Sequence, residues 1–240
     1  MQRSEVFLGL DMLSWLQGYD GLLLLGLWRT VLISVVGYAF GAVLGLGLAL
    51  IYDTSGRPVR QATKAYSAVL RALPELILIM LLYYACGDVV SWLMAFVGFE
   101  HFQLSGTAAA IIVLGLVASA YAFEIFVAAM SAVPAGMVEA GASLGMGKLL
   151  GFRRIVLPLM LPLALPGLSN LWLMVVKGTS LVSVVGVMEL ALAAEQGAGA
   201  TKSYFTFYVA AAGLYLALAL LTLRFFNALE QFLRRGQVSP

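Results

Sequence analysis

The sequence predicts an all-α integral membrane protein with five transmembrane helices, and three observations point there. Hydrophobic residues make up 62% of the chain and charged residues only 11%, against roughly one quarter charged in soluble domains. The mean hydropathy is +0.98. Five stretches, near 22–51, 66–86, 106–130, 163–186 and 204–228, reach the roughly 20 apolar residues that a helix needs to cross the hydrocarbon core. No low-complexity linker and no internal repeat divides them, so residues 1–240 are expected to form a single transmembrane domain.

The first span carries Gly37, Gly41 and Gly45 at four-residue spacing, a small-residue stripe that lets another helix approach closely. In the second, Arg71 and Glu75 lie four residues apart with Pro74 between them, and the third contains Glu124. Pro158, Pro162 and Pro166 precede or enter the fourth span, whose far half holds Lys177. Each proline removes a backbone donor, so this entry is expected to be kinked and covered by neighbouring protein, a stiff lever. Trp15, Trp28, Trp92 and Trp172 read as interface anchors or packing groups.

Composition also excludes function classes. Fourteen Lys and Arg against twelve Asp and Glu leave a net charge of +2, too small to attract nucleic acid. Cys86 is the single cysteine, so no internal disulfide forms, and His101 is the single histidine, so a metal site has no ligand set. A membrane-bound enzyme would need a Ser, His and Asp cluster or several metal ligands; no catalytic residue is expected. The opening MQRSEVFLGLDMLSWLQ lacks the pattern of a removable signal peptide.

Charge sets the orientation. With the N-terminus outside, the cytoplasmic segments hold Arg57, Arg60, Lys64, Lys148, Arg153, Arg154, Arg234 and Arg235, while the outer segments hold Arg3 and Lys202. The positive-inside rule therefore places the N-terminus outside and the C-terminus in the cytoplasm. EAGASLGMGKLLGFRRIVLP, residues 139–158, then faces the cytoplasm. Pro134 can begin a short helix there, Glu139 is expected near its positive end, and Gly145 can leave it with positive φ. Met137, Ala140, Gly141 and Leu144 share one face of the first arm of a helical hairpin, suited to docking in a partner's groove. The second arm, with Lys148, Arg153 and Arg154, is expected to end at Pro158.

EAG, three residues, Gly145, nine residues and IVLP at 155–158 resemble the EAA loop of binding-protein-dependent ABC importer permeases. VLRALPELILIMLLYY (69–84), SAYAFEIFVAAMSAVPAGMVEAG (119–141) and LPGLSNLWLMVVKGTSLVSVVGV (165–187) are similar to segments of the polar amino-acid permeases, in particular the histidine and basic amino-acid, HisQ-like branch. The resemblance implies a type I ABC importer permease fold in a bacterial inner membrane, with the N-terminus periplasmic. It implies that loop 134–157 couples to an ABC ATPase dimer through Met137, Glu139, Ala140, Gly141, Leu144 and Gly145. ATP and Mg then sit on that partner, since this chain has no phosphate loop: GMGK at 145–148 continues with Leu149. A second permease chain, similar or identical, would complete the pathway, and a periplasmic solute-binding protein would deliver a polar, basic amino acid (arginine, lysine or histidine) or an opine near 87–105 and 187–203. Gly141, Met137 and Val127 depart from the family pattern.

Charges inside the bilayer cost roughly 2.5–3.5 kcal/mol on insertion scales, so Arg71, Glu75, Glu124 and Lys177 need partners or a wet cavity. For Glu75, contact with substrate or gate stands beside a helix-face pair with Arg71, which can also snorkel. For Glu124, a pathway role stands beside an ion pair with Arg71 or Lys177. Lys177 either binds a substrate carboxylate or pairs with an acid. The competing class is a secondary transporter or channel using these charges as a relay; the sequence lacks the paired repeats such a fold uses.

Overall fold

A computed structural model describes residues 18–96 and 104–234; Arg3, Trp15, His101 and Arg235 lie outside them. Among the described residues every regular element is helical: α1 (Asp20–Thr54), α2 (Arg57–Ala72), α3 (Glu75–Phe96), α4 (Gly106–Ser131), α5 (Ala135–Ser143), α6 (Lys148–Gly151), α7 (Leu157–Gly178), α8 (Leu190–Thr201) and α9 (Tyr204–Arg234). A π-helical turn, Phe152–Val156, joins α6 to α7, and a 3₁₀ segment, Thr179–Val185, follows α7. Among the described residues five helical stretches are long and apolar enough to cross a membrane: Asp20–Thr54, Glu75–Phe96, Gly106–Ser131, Lys148–Val185 and Tyr204–Leu233.

The second span begins later than hydropathy predicts. Pro74 cannot donate an amide and forces the residue before it out of the helical region; Leu73 accordingly takes φ −83°, ψ 145°. Residues 66–72 therefore belong to α2, which carries Arg57, Arg60, Lys64 and Arg71 and no acid. The fourth span differs too. Helical structure runs from Lys148 to Val185, so the arginine arm does not end at Pro158: the π turn leads straight into α7, and Pro158, Pro162 and Pro166 all lie within one continuous helical stretch.

α4 is the central helix, with 61% of its most apolar stretch buried, whereas α9 has 6%. The α1 glycines explain why α4 is so enclosed. A methyl at Gly41 would lie 2.6 Å from Ala118 Cβ, and one at Gly45 would lie 2.5 Å from Ala122 Cβ. The stripe is thus a backbone-to-backbone seam, the close packing its spacing predicts. Tyr38 crosses from α1 to Trp172 on α7, ring centroids 5.4 Å apart, and its hydroxyl donates to the Leu168 carbonyl at 3.2 Å. Trp172 is buried packing, while Trp28 and Trp92 are exposed.

Two details set the ends of the bundle. Arg60 of α2 donates from Nε to the Tyr52 carbonyl (2.8 Å) and from Nη2 to the Asp53 carbonyl (2.9 Å), satisfying carbonyls that the end of α1 leaves open. At the opposite end the connection between fourth and fifth spans is not an open loop: α8 folds into it, with Ala193 against Gly26 and Gly197 against the Phe207 ring.

Candidate functional site

α7 presents Asn170, Leu173, Met174 and Lys177 on one face by their spacing of three and four. These side chains line a cavity of about 500 Å³ together with Gly178, Ser180, Leu181 and Glu75. Glu75 reaches it because the Pro74 break makes it the first residue of α3, where the helix's free amides and positive end favour a carboxylate. Gly178 keeps the approach open: a methyl there would stand 3.2 Å from Glu75 Oε1 and 3.3 Å from Leu114 Cδ2. Lys177, Leu173 and Ser180 also line a second cavity of about 270 Å³, closed on its other side by Tyr215, Leu216 and Ala219 of α9. Lys177 thus stands between two cavities.

Arg71 and Glu124 line neither cavity. Arg71 Nη2 donates to Glu124 Oε1 at 2.8 Å, and the Ser67 hydroxyl donates to the same oxygen at 2.9 Å. Tyr66 and Ser119 add a hydroxyl pair at 2.7 Å. Together these polar contacts clasp α2 to α4. Of the four charges that the sequence predicts inside the bilayer, the structure therefore brings Glu75 and Lys177 to one cavity and Arg71 and Glu124 to another place.

The hairpin forms the second candidate element. α5 ends in a left-handed turn at Gly145 (φ +77°), with Met146 N–H donating to the Gly141 carbonyl at 3.1 Å and Gly145 N–H to the Ala142 carbonyl at 2.9 Å, a Schellman closure. Gly141 is buried against Ile155 of the π turn, so its missing methyl makes room for that isoleucine. Met137, Glu139, Ala140 and Leu144 are exposed, Leu144 to 79%. Glu139 lies one turn further in than the positive end expected for it, because Pro134 is the cap and no acid occupies the first turn.

Asn170, Gly178, Ser180, Tyr215 and Glu189 belong to no motif that singles them out in the sequence. Asn170 and Ser180 were legible in principle, falling three or seven residues from Lys177 on its helical face. Glu189, in the run VMELALAAE, reads as a loop acid, yet it is fully buried.

The described residues form a helical bundle with five apolar spans, a cavity of mixed charge between them and an exposed hairpin at one end, the architecture of a membrane transport subunit. The family model for the inner membrane component of binding-protein-dependent transport systems matches residues 37–235, and the chain belongs to that family. It is 36% identical over 221 residues to the octopine transport system permease protein OccQ of Rhizobium radiobacter, covering 91% of this chain and 92% of that one. It is 34% identical over 206 residues to the arginine ABC transporter permease protein ArtQ of Escherichia coli strain K12, covering 80% and 87%. The crystal structure of an amino acid ABC transporter with histidines superposes with a TM-score of 0.75 at 26% identity, covering 96% of this chain and 99% of that one. The chain is an ABC importer permease of type I fold, and ATP hydrolysis belongs to a separate subunit.

Proposed function

We propose that this permease carries polar amino acids of the basic class (arginine, lysine, histidine) or opines across a bacterial inner membrane, in a pathway shared with a similar or identical permease chain, residues 1–240 acting as one transmembrane domain. The observation that carries this reading is the placement of Glu75 and Lys177 in one cavity of about 500 Å³, a volume that suits a small polar ligand. Arginine and lysine present a carboxylate and two cations, and histidine a carboxylate, an ammonium and an imidazole. Lys177 is a point charge for the carboxylate, and Glu75 is an acceptor for an ammonium or guanidinium. Octopine and arginine in the names of relatives agree with that chemistry.

The clasp of Arg71 and Glu124 acts as a gate element that holds α2 on α4 while α3, beyond the Pro74 break, moves with the cavity. Coupling residues Met137, Glu139, Ala140 and Leu144 face an ABC ATPase dimer, which holds ATP and Mg, while Gly141 and Gly145 shape the hairpin that docks. Because the hairpin continues through the π turn into α7, ATP-driven closure of that dimer pushes on the same helix that bears Lys177. The positive-inside rule supports a cytoplasmic hairpin, a cytoplasmic C-terminus and a periplasmic N-terminus, leaving the α8 end for a periplasmic solute-binding protein.

Uptake of labelled arginine by proteoliposomes holding the complete importer tests the reading. Glu75→Gln should cut arginine uptake at least about tenfold, the scale of one lost charged hydrogen bond, with the ATPase still bound; undiminished uptake would refute it.

A further inference from the structure

We infer that Glu189 is a positioning residue for the Lys177 cavity, acting through Tyr215; this rests on the reading of Lys177 as the contact for the substrate carboxylate. Glu189 is 0% exposed, and burying a carboxylate among apolar helices is costly unless each oxygen is satisfied. Its oxygens divide the work. Oε1 accepts the Leu192 N–H at 2.9 Å and caps α8, a task that the shorter Ser, Thr, Asp or Asn performs as well. Oε2 accepts the Tyr215 hydroxyl at 2.6 Å and the Thr30 hydroxyl at 3.3 Å. Capping α8 uses one oxygen, and the second oxygen reaches across to α9.

Tyr215 is the residue through which this reaches the cavity. It lines the 270 Å³ space beside Lys177, and its hydroxyl lies 3.4 Å from that of Thr179, the first residue of the 3₁₀ segment that continues with the cavity residue Ser180. Thr30 extends the network to α1, and its Oγ1 accepts the Leu190 N–H at 3.1 Å. A single carboxylate therefore ties α1, α8 and α9 beside the turn that follows Lys177. α9 is otherwise the least enclosed span, so this tether fixes where its wall of Tyr215, Leu216 and Ala219 stands relative to the Lys177 side chain.

A residue that merely holds the fold weakens binding of all ligands alike, whereas one that positions the Lys177 wall alters discrimination for the group Lys177 meets. The experiment measures binding of tritiated arginine to the purified importer without its binding protein, and its displacement by argininamide, which lacks the carboxylate. Wild type should prefer arginine about tenfold, on the scale of one charged contact. Glu189→Gln and Tyr215→Phe should each narrow that preference about threefold, and the double variant no further than either alone, because both act through one hydrogen bond. Tyr215→Phe keeps the ring and the α8 cap, so it reports even where Glu189→Gln fails to fold. An unchanged preference in Tyr215→Phe, or affinities for both ligands falling in proportion, overturns the inference while a Lys177→Met variant that has lost the preference upholds the substrate reading. A Lys177→Met variant that retains it removes both.

Discussion

Arg71 and Glu124, 53 residues apart in sequence, meet at 2.8 Å across α2 and α4, and the pairing accounts for both charges without involving the cavity. Both side chains are more than a third exposed, so solvent and salt screen the pair and its coupling should be about 0.5–1 kcal/mol. A double-mutant cycle on the thermal stability of the detergent-solubilised importer measures it. Arg71→Glu or Glu124→Arg alone should lower stability and uptake, and the charge swap should restore most of both. Failure of the swap to restore either would mean that one of the two charges serves something else.

The α1 and α4 seam predicts a sharp contrast between neighbouring glycines. Gly45→Ala would place a methyl 2.5 Å from Ala122 Cβ and 2.8 Å from the Phe123 amide nitrogen, whereas Gly47→Ala meets nothing within 4 Å. The first should destabilise by about 1–3 kcal/mol through overpacking, and the second, free of any clash inside a helix, should hold stability or raise it by up to about 1 kcal/mol. Melting temperatures of the two purified variants decide it; equal values would mean the seam is looser than the contacts require.

At the hairpin, Gly145→Val demands a left-handed backbone at φ +77°, which a β-branched residue adopts at a cost of about 1–2 kcal/mol. That local cost should open the Schellman turn and release the ATPase on co-purification while the membrane helices stay folded. Gly147→Ala, with φ −67° and open space around it, should leave ATPase binding intact. Retention of the ATPase by Gly145→Val would detach the turn from coupling.

Much of this architecture is legible in particular residues. Gly37, Gly41 and Gly45 announce a close helix pair, and the spacing from Glu139 to Pro158 announces a hairpin, because both depend on short-range geometry. The start of the second span differs from the hydropathy reading because hydropathy sums Ala68, Val69, Leu70 and Ala72 of α2 while Pro74 acts on one dihedral pair. The partner of Arg71 is legible only as one of several alternatives: Glu75 is four residues away on paper, yet the extended Leu73 breaks the helical register that would join them, and of the two cations open to Glu124, Arg71 or Lys177, it is Arg71 that Glu124 meets from another helix. Glu189 escaped for the same reason, since its donors Thr30 and Tyr215 lie 159 and 26 residues away.

Gly178 gives the most selective probe of the cavity. It lies between Lys177 and the 3₁₀ segment, and a methyl there would crowd Glu75 Oε1 at 3.2 Å and Leu114 Cδ2 at 3.3 Å. Since Glu75 is the first residue of its helix, its side chain can give way by a few tenths of an ångström, and the bundle should survive. Gly178→Ala should thus lower stability by under about 1 kcal/mol but reduce arginine uptake several-fold, because the carboxylate shifts from its position in the cavity while the ATPase remains docked. Gly178→Ala with full uptake would show that Glu75 need not stand where the structure has it. Arginine uptake reduced no more than that of a neutral amino acid would assign the loss to the helix turn and not to the carboxylate.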